Sequence, residues 1–318
     1  MNIQLDQAIM ANIDEILARA QLSAEMIQMI KSSLNADSKN GELFKWAHLT
    51  LMNCECVSGR SEAALPGAIA MELSALAADI FDDIQDQDND GLPWRQIPTA
   101  NALNLAICLS MLSYKAISAL PDDKDNRIFN EVSQILSHMW ITASDAQFQE
   151  VLYDTREQIA LDQYFELVRR KSGSLTACAC KIGAIMGGAS EALVLQLEEY
   201  GTNLGIMSQI RNDLNDFLNF EDKKDFVNNR KTLPYVYLLN ILQGEKAEQF
   251  RKLILTVGKG LQNFGKEEQG YLKQLTLDEG AVHYGKVMYE MFRQNSMEIM
   301  QAIPVSDNLK EKMINLVE

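Results

Sequence analysis

Apolar residues in this chain recur three and four positions apart along almost its whole length, and runs of strict alternation are scarce. Ile9, Ile13, Ile16 and Leu17 make one such stripe near the start. Leu195, Tyr200, Leu204, Met207, Ile210, Leu214 and Phe217 make a longer one. A strand turns successive side chains to opposite faces, so this period commits the chain to helices. Only 6 prolines interrupt 318 residues. Pro93 and Pro98 are expected to end one long helix and open the next, Pro234 to start a helix, and Pro121 and Pro304 to lie in joints. The polar joints at 35–42, 87–98, 121–126 and 219–233 have neither the length nor the Gly/Ser bias of an interdomain linker. The expectation is one all-α domain over residues 1–318, with roughly ten or more helices.

A chain of this length buries ~75% of its unfolded surface and needs no disulfide or metal to hold its core. Lys and Arg number 29 against 44 Asp and Glu, a net charge of −15. Such a surface argues against nucleic acid and anionic membranes as partners, because there are few cations to displace their counterions. Five cysteines without framework spacing fit a reducing compartment. Residues 1–20 carry acids among the apolar positions, unlike a signal peptide. The apolar stretch 63–81 contains Pro66, Gly67, Glu72 and Asp79, which suits a buried core helix and not a membrane span. The chain is expected to be cytoplasmic, with no integral membrane segment.

Two acidic clusters carry the chemistry. The first holds Asp79, Asp82, Asp83, Asp86, Asp88 and Asp90. Helical spacing places Glu72, Asp79, Asp83 and Asp86 on one stripe, with Asp82 a turn before Asp86, opposite a core stripe of Leu73, Leu76, Ile80 and Ile84. The second runs from Ser208 to Asp216, with Gln209, Asn212, Asp213 and Asp216 on one face. If the two faces met across a cavity, carboxylates ~6 Å apart would repel by about 3 kcal/mol per pair at an effective dielectric of ~20. Divalent cations remove that repulsion, and oxygen ligands that leave room for water and phosphate suit Mg²⁺. The pattern therefore reads as a magnesium–diphosphate site. Cations flank both clusters: Arg95 after the first, Arg169-Arg170-Lys171 before the second, and Arg230-Lys231 after it.

Other features lack such support. Cys54/Cys56 and Cys178/Cys180 do not have zinc spacing and are expected as buried thiols. His48, His138 and His283 have no partnered motif. Gly187-Gly188 follows no strand and is not a phosphate loop. Met71, Met111, Met139, Met186 and Met207 are expected to fill the core.

The ordered set of motifs resembles the all-trans polyprenyl diphosphate synthases, of the isoprenoid synthase fold, over roughly residues 40 to 240. That fold is a helical bundle around a central cavity. The family's first aspartate-rich motif matches Asp82-Asp83-x-x-Asp86, with Asp88 an alternative third acid. Its Arg-Arg-Gly-x-Pro-Thr run matches Trp94 to Thr99, and its Gln-x-x-acid matches Gln147 and Glu150. Its Lys-Thr element matches Lys171-Ser172. Its Gln-x-x-Asp-Asp-x-x-Asp motif matches Gln209 to Asp216, with Asn212 for the first Asp, and its basic run matches Asp225 to Pro234. The resemblance implies Mg²⁺, several ions per site, held by Asp82, Asp83, Asp86 or Asp88, Asn212, Asp213 and Asp216. It implies diphosphate binding by Arg95, Lys171, Arg230 and Lys231. It also implies catalysis by Lys171 on the departing diphosphate and by the Gln209 amide oxygen facing the allylic cation. Ala77, Ala78, Phe81 and Gln147 would line the prenyl pocket, the two alanines leaving its floor open to a farnesyl or longer chain. Family members are commonly homodimers, and the N-terminal amphipathic helix suits either an interface or the chain's own core.

The departures concern the second substrate. Elongating members bind isopentenyl diphosphate through Gly-Lys-x-x-Arg, where this chain has Gly41 to His48 with one lysine and no arginine. Ala75 stands for the family's His or Gln, and Trp94 for one arginine. Each lost charge-assisted bond costs on the order of 1.5–3 kcal/mol, so two or three weaken binding by about a thousandfold or more. With Asp79 to Asn89, Trp94 and Asn101 to Asn104, the chain is more similar to the ComQ group, which prenylates a tryptophan of a competence-pheromone precursor. The expected activity is transfer of a geranyl or farnesyl group to such a peptide. The alternatives are a chain-elongating synthase, a terpene cyclase, which Asn212, Asp216 and Phe220 match poorly, and a non-catalytic partner.

Overall fold

The computed structural model describes residues 3–36, 43–118, 127–218, 226, 228–258, 264–303, 305 and 307–314. Among them all regular structure is helical. The helices are α1 (Ile3–Arg19), α2 (Ala24–Ala36), α3 (Lys45–Ser58), α4 (Leu65–Asp86), α5 (Thr99–Ile117), α6 (Arg127–Asp154) and α7 (Leu161–Val168). They continue with α8 (Ser174–Met186), α9 (Glu191–Leu218), α10 (Leu233–Ile241), α11 (Gly244–Val257), α12 (Lys266–Asp278), α13 (Ala281–Ala302) and α14 (Asp307–Ile314). The chain divides into two compact units. The first takes α1–α5, α6 through His138, residues 176–199 and 303–313. The second takes α6 from Met139 through Leu175, then Tyr200 through α13.

In the first unit α4 is the central helix, packed on α3 and most extensively on α5. Its Ala68, Ile69, Ala70, Met71, Leu73, Ala75, Leu76, Ala77 and Ile80 are all buried, and the small residues among them let neighbouring backbones come close. The stripe Ile9, Ile13, Ile16 and Leu17 of α1 is buried, and α1 packs on α4 and α5, so the chain's own core claims that face. A Cβ on Gly183 of α8 would stand 2.2 Å from the Thr50 carbonyl oxygen of α3, so only glycine permits that crossing. The free thiols of Cys54, Cys56, Cys178 and Cys180 are buried, as expected. Two helical segments, 62–86 and 99–117, are long and apolar enough to cross a membrane. The protein itself buries 72% of the most apolar stretch of the first and 50% of the second.

The second unit is organised around aromatics. Phe217, Phe226, Tyr235, Phe250 and Phe264 form one buried cluster with Leu238, Leu253 and Leu272. Phe226 meets Phe217 edge-on at 6.0 Å and Tyr235 at 5.4 Å, which pins the segment leading into α10.

Several expectations need correcting. Met111 is 59% exposed, on a stripe of α5 with Leu103 and Ile107, while Met71, Met139, Met186 and Met207 are buried. Leu195 is also exposed, while Val194 and Leu197 beside it are buried, so the inward face of α9 runs through those two residues instead. The long helix stops at Asp86, well before Pro93, which sits in a 3-10 turn; Pro98 precedes α5, and Pro234 is the second residue of α10. Pro121, Pro304 and Phe220 lie outside the described residues, as do Gly41, Glu42, Asp225 and Val227 of the matched motifs.

Candidate active site

The first acidic motif occupies the last turns of α4 and the joint after it. Gln87 ends the helix in the left-handed conformation, its N–H bonded to the Asp83 carbonyl, and Asn89 is left-handed too. Two such residues around Asp88 turn the chain back on itself. Asn89 Nδ2 thereby donates to Asp83 Oδ1 at 2.6 Å. From the turn beyond, Trp94 Nε1 donates to Asp83 Oδ2 at 2.7 Å. Asp83 is buried and the Trp94 ring is 1% exposed. Burial raises the Asp83 pKa, the two hydrogen bonds oppose that rise, and Asp82 and Asp88 add to it. Asp82, Asp86 and Asp88 are half-buried. Arg95 Nη2 donates to Asp90 Oδ1 at 3.0 Å. Of the expected pocket residues, Ala77 is fully buried, and Ala78 and Phe81 are half-buried.

Glu72 does not belong with these acids. It is 3% exposed, and its Oε2 accepts from the Trp46 and Ala47 backbone N–H groups at 3.0 and 2.9 Å. It therefore caps α3, where unpaired amides and the helix dipole favour an anion. Just beyond, His48 Nε2 meets Asp6 Oδ1 of α1 at 2.7 Å, a partner no sequence motif indicated.

The second motif lies on α9, in the second unit. Asp213 is 4% exposed and accepts three hydrogen bonds. Tyr164 Oη donates to its Oδ2 at 2.6 Å, the Leu233 N–H to the same oxygen at 2.7 Å, and Gln209 Nε2 to Oδ1 at 2.8 Å. The carboxylate ties α7 to α9 and caps the first residue of α10. Burial raises its pKa to about 6 against the pull of those donors. Gln209 Oε1, expected to face a cation, accepts from Ser172 Oγ at 2.8 Å, since Ser172 reaches it from the turn before α8. Asn212 is exposed and Asp216 half-buried.

Cations gather around this second motif. Residues 169–173 form a π-helical turn between α7 and α8, a local widening common at functional sites. From it Lys171 Nζ donates to Glu150 Oε2 at 2.5 Å, and Arg170 pairs with Asp145 at 2.5 Å. Arg230 Nη1 meets Asp154 Oδ2 at 2.6 Å. Lys231 is 6% exposed, donates to the Asn229 carbonyl at 3.2 Å and lies 4.8 Å from the Tyr235 ring centroid. Burial lowers its pKa to about 8 and raises that of Asp154 to about 7. The Gln147 amide atoms are shut from solvent without a hydrogen-bond partner.

Sequence reasoning placed the acids and cations but missed Tyr164, Asp154 and the π-helical turn. Asp154 follows Glu150 by one helical turn, a visible signal, whereas nothing local marks Tyr164. Among the described residues, no three His, Cys, Asp or Glu side chains converge into a ready cation cage. Magnesium ordinarily takes one or two carboxylates and completes its shell with water and phosphate, so this oxygen donor set fits it in company with a diphosphate.

The model of the polyprenyl synthetase family matches residues 23–264. The chain belongs to that family. It is a prenyltransferase. A tryptophan prenyltransferase ComQ from Bacillus spizizenii is 29% identical over 219 residues, 69% of this chain and 73% of the relative. A short chain isoprenyl diphosphate synthase from Methanocaldococcus jannaschii is 27% identical over 217 residues, 65% of each chain. The polyprenyl synthetase of Streptomyces coelicolor A3(2) superposes with a TM-score of 0.82 at 22% identity, covering 98% of this chain and 94% of that one. The fold is thus the expected isoprenoid synthase fold.

Proposed function

We propose that this polyprenyl synthetase homologue ionises an allylic prenyl diphosphate, geranyl or farnesyl, and transfers the prenyl group to a tryptophan of a pheromone precursor peptide. The observation that carries the reading is Trp94. A neutral, buried indole bonded to Asp83 stands where elongating relatives are expected to have an arginine, and the stretch before α3 has lost its arginine too. An acceptor without a diphosphate does not need those cations. The similarity to ComQ supports the same reading.

In the first motif Asp82, Asp83, Asp86 and Asp88, and in the second Asn212, Asp213 and Asp216, would supply oxygen ligands to Mg²⁺. The metal supplies charge neutralisation for the leaving diphosphate. Lys171, Arg230, Lys231 and Arg95 would bind the diphosphate oxygens as the C1–O bond breaks and its electron pair leaves with oxygen. The indole π electrons then form the new carbon–carbon bond to C1, and the resulting cation would lose a proton to the released diphosphate, leaving a neutral prenylated peptide. Exposed Leu103, Ile107 and Met111 on α5 support a homodimer, and the acidic composition with free buried thiols supports a cytoplasmic setting.

The second reading, chain elongation with isopentenyl diphosphate, is favoured by the similarity to short chain isoprenyl diphosphate synthases. A magnesium-dependent assay decides between them, offering geranyl, farnesyl or geranylgeranyl diphosphate with either isopentenyl diphosphate or a Trp-bearing peptide. Prenylated peptide without longer diphosphates is the expected result; elongated diphosphates and unmodified peptide would establish the second reading instead.

A further inference from the structure

We infer that a cavity in the first unit, lined by none of the acid-motif residues, is a docking site for the acceptor peptide, and that it takes a segment with an aliphatic side chain beside a basic one. This inference rests on the peptide-transfer reading above and gives the same substrate a second point of contact.

The cavity has a volume of about 580 Å³, within the ~300–1,000 Å³ of ordinary ligand sites. It lies among the first two turns of α6, the last two turns of α8 and the first two turns of α9, all in the first unit. Ile128, Ile185, Val194 and Leu195 give it aliphatic walls. Ile128 is 38% and Leu195 58% exposed, so a side chain that enters the cavity takes apolar surface out of water. The charges around those walls are of two kinds. Lys181 is already neutralised, its Nζ donating to both Glu198 carboxylate oxygens at 2.8 Å. Arg127, Glu131 and Glu191 make no ion pair or side-chain hydrogen bond among the described residues, although Arg127 and Glu131 stand one turn apart on α6. Two open carboxylates against one open guanidinium leave the rim negative, and a lysine or arginine complements it. The guanidinium is left for a backbone carbonyl or a peptide carboxylate. An isoprenoid chain would fill the walls and leave all three charges without partners, and an anionic amphiphile would meet two carboxylates. A basic, aliphatic peptide segment satisfies the walls and the charges together.

The test uses the intact protein and the fluorescence anisotropy of two labelled probes, acetyl-Lys-Leu-Lys-Leu-amide and acetyl-Glu-Leu-Glu-Leu-amide, without Mg²⁺ or diphosphate. The lysine probe should bind, and the glutamate probe should bind more weakly by about tenfold or more. Glu131→Lys combined with Glu191→Lys should reverse that order, and Leu195→Asn should weaken the lysine probe, with circular dichroism unchanged. The same change in net charge made on the exposed face of α11, by Glu245→Lys with Glu248→Lys, should leave the lysine probe bound as in wild type. Equal binding of both probes, no binding of the lysine probe, or an equal loss in the α11 variant would overturn the proposal. In turnover with a Trp peptide that carries the Lys-Leu segment, the Glu131/Glu191 double variant should raise the peptide KM about tenfold and leave kcat and the KM of farnesyl diphosphate unchanged. An unchanged peptide KM with prenylated product brings down the docking site and leaves the transfer reading standing. A wild type that binds the lysine probe but prenylates no peptide brings down the transfer reading, and the naming of the occupant with it, a distinguishable failure.

Discussion

The two acid motifs meet the same problem, placing several carboxylates together, with different surroundings. In the first unit the acids cluster at a helix end, and a turn with two left-handed residues folds back to hold Asp83 with a side-chain amide and an indole. In the second unit Asp213 sits within a helix, with a phenol, an amide and a backbone N–H converging from three segments. Cations differ as well. Arg95, paired to Asp90, accompanies the first motif, whereas Lys171, Arg230 and Lys231 accompany the second, two of them paired to Glu150 and Asp154. With three cations against one, the second motif is the better equipped of the two for anion binding.

Lys171→Met tests that contrast with the largest expected effect. It removes a cation and a charge-assisted bond to Glu150, and we expect a loss in kcat of about 10²-fold, by analogy with other transition-state donors. Circular dichroism should show the helical content unchanged. Arg95→Met in the first unit should cost less in kcat; an equal loss would mean that Arg95 matters to the diphosphate as much as Lys171 does.

Acidity gives an intermediate effect. Burial lifts Asp213 from the ordinary aspartate value to about 6. Between pH 4 and 6 the folded state therefore holds a proton that the unfolded chain has released. Stability from this group falls as pH rises across that window and levels above it. Urea melts of wild type and Asp213→Asn at pH 4.5 and 7.5 check the sign. The advantage of wild type over the variant should be larger at the lower pH.

The smallest effect belongs to Asp90, whose side chain is 71% exposed in its pair with Arg95. Asp90→Asn should change stability by no more than about 1 kcal/mol, as exposed ion pairs do. A larger loss in a melt would show that the turn after α4 depends on charge and not on the Asp83 clamp.

The helical class was legible because a 3.6-residue period runs through nearly every segment, and most of the expected core residues are buried. The site residues were legible as types and spacings. Their orientations were not. Helical arithmetic puts Glu72, Asp79, Asp83 and Asp86 on one stripe, yet Glu72 caps a neighbouring helix and Asp83 is sealed beneath Trp94. The angle around a helix axis is local information, whereas the group that meets a side chain comes from distant sequence. Tyr164 lies 49 residues from Asp213, and Trp46 lies 26 from Glu72.

By itself, then, the sequence determined the helices, the family and the inventory of acids and cations, because periodicity and residue chemistry are properties of short segments. Only tertiary structure decided which acids turn inward, since burying a carboxylate requires donors that no single segment contains. The indole of Trp94 and the phenol of Tyr164 are those donors, and each acquires its role only when the chain has folded around it.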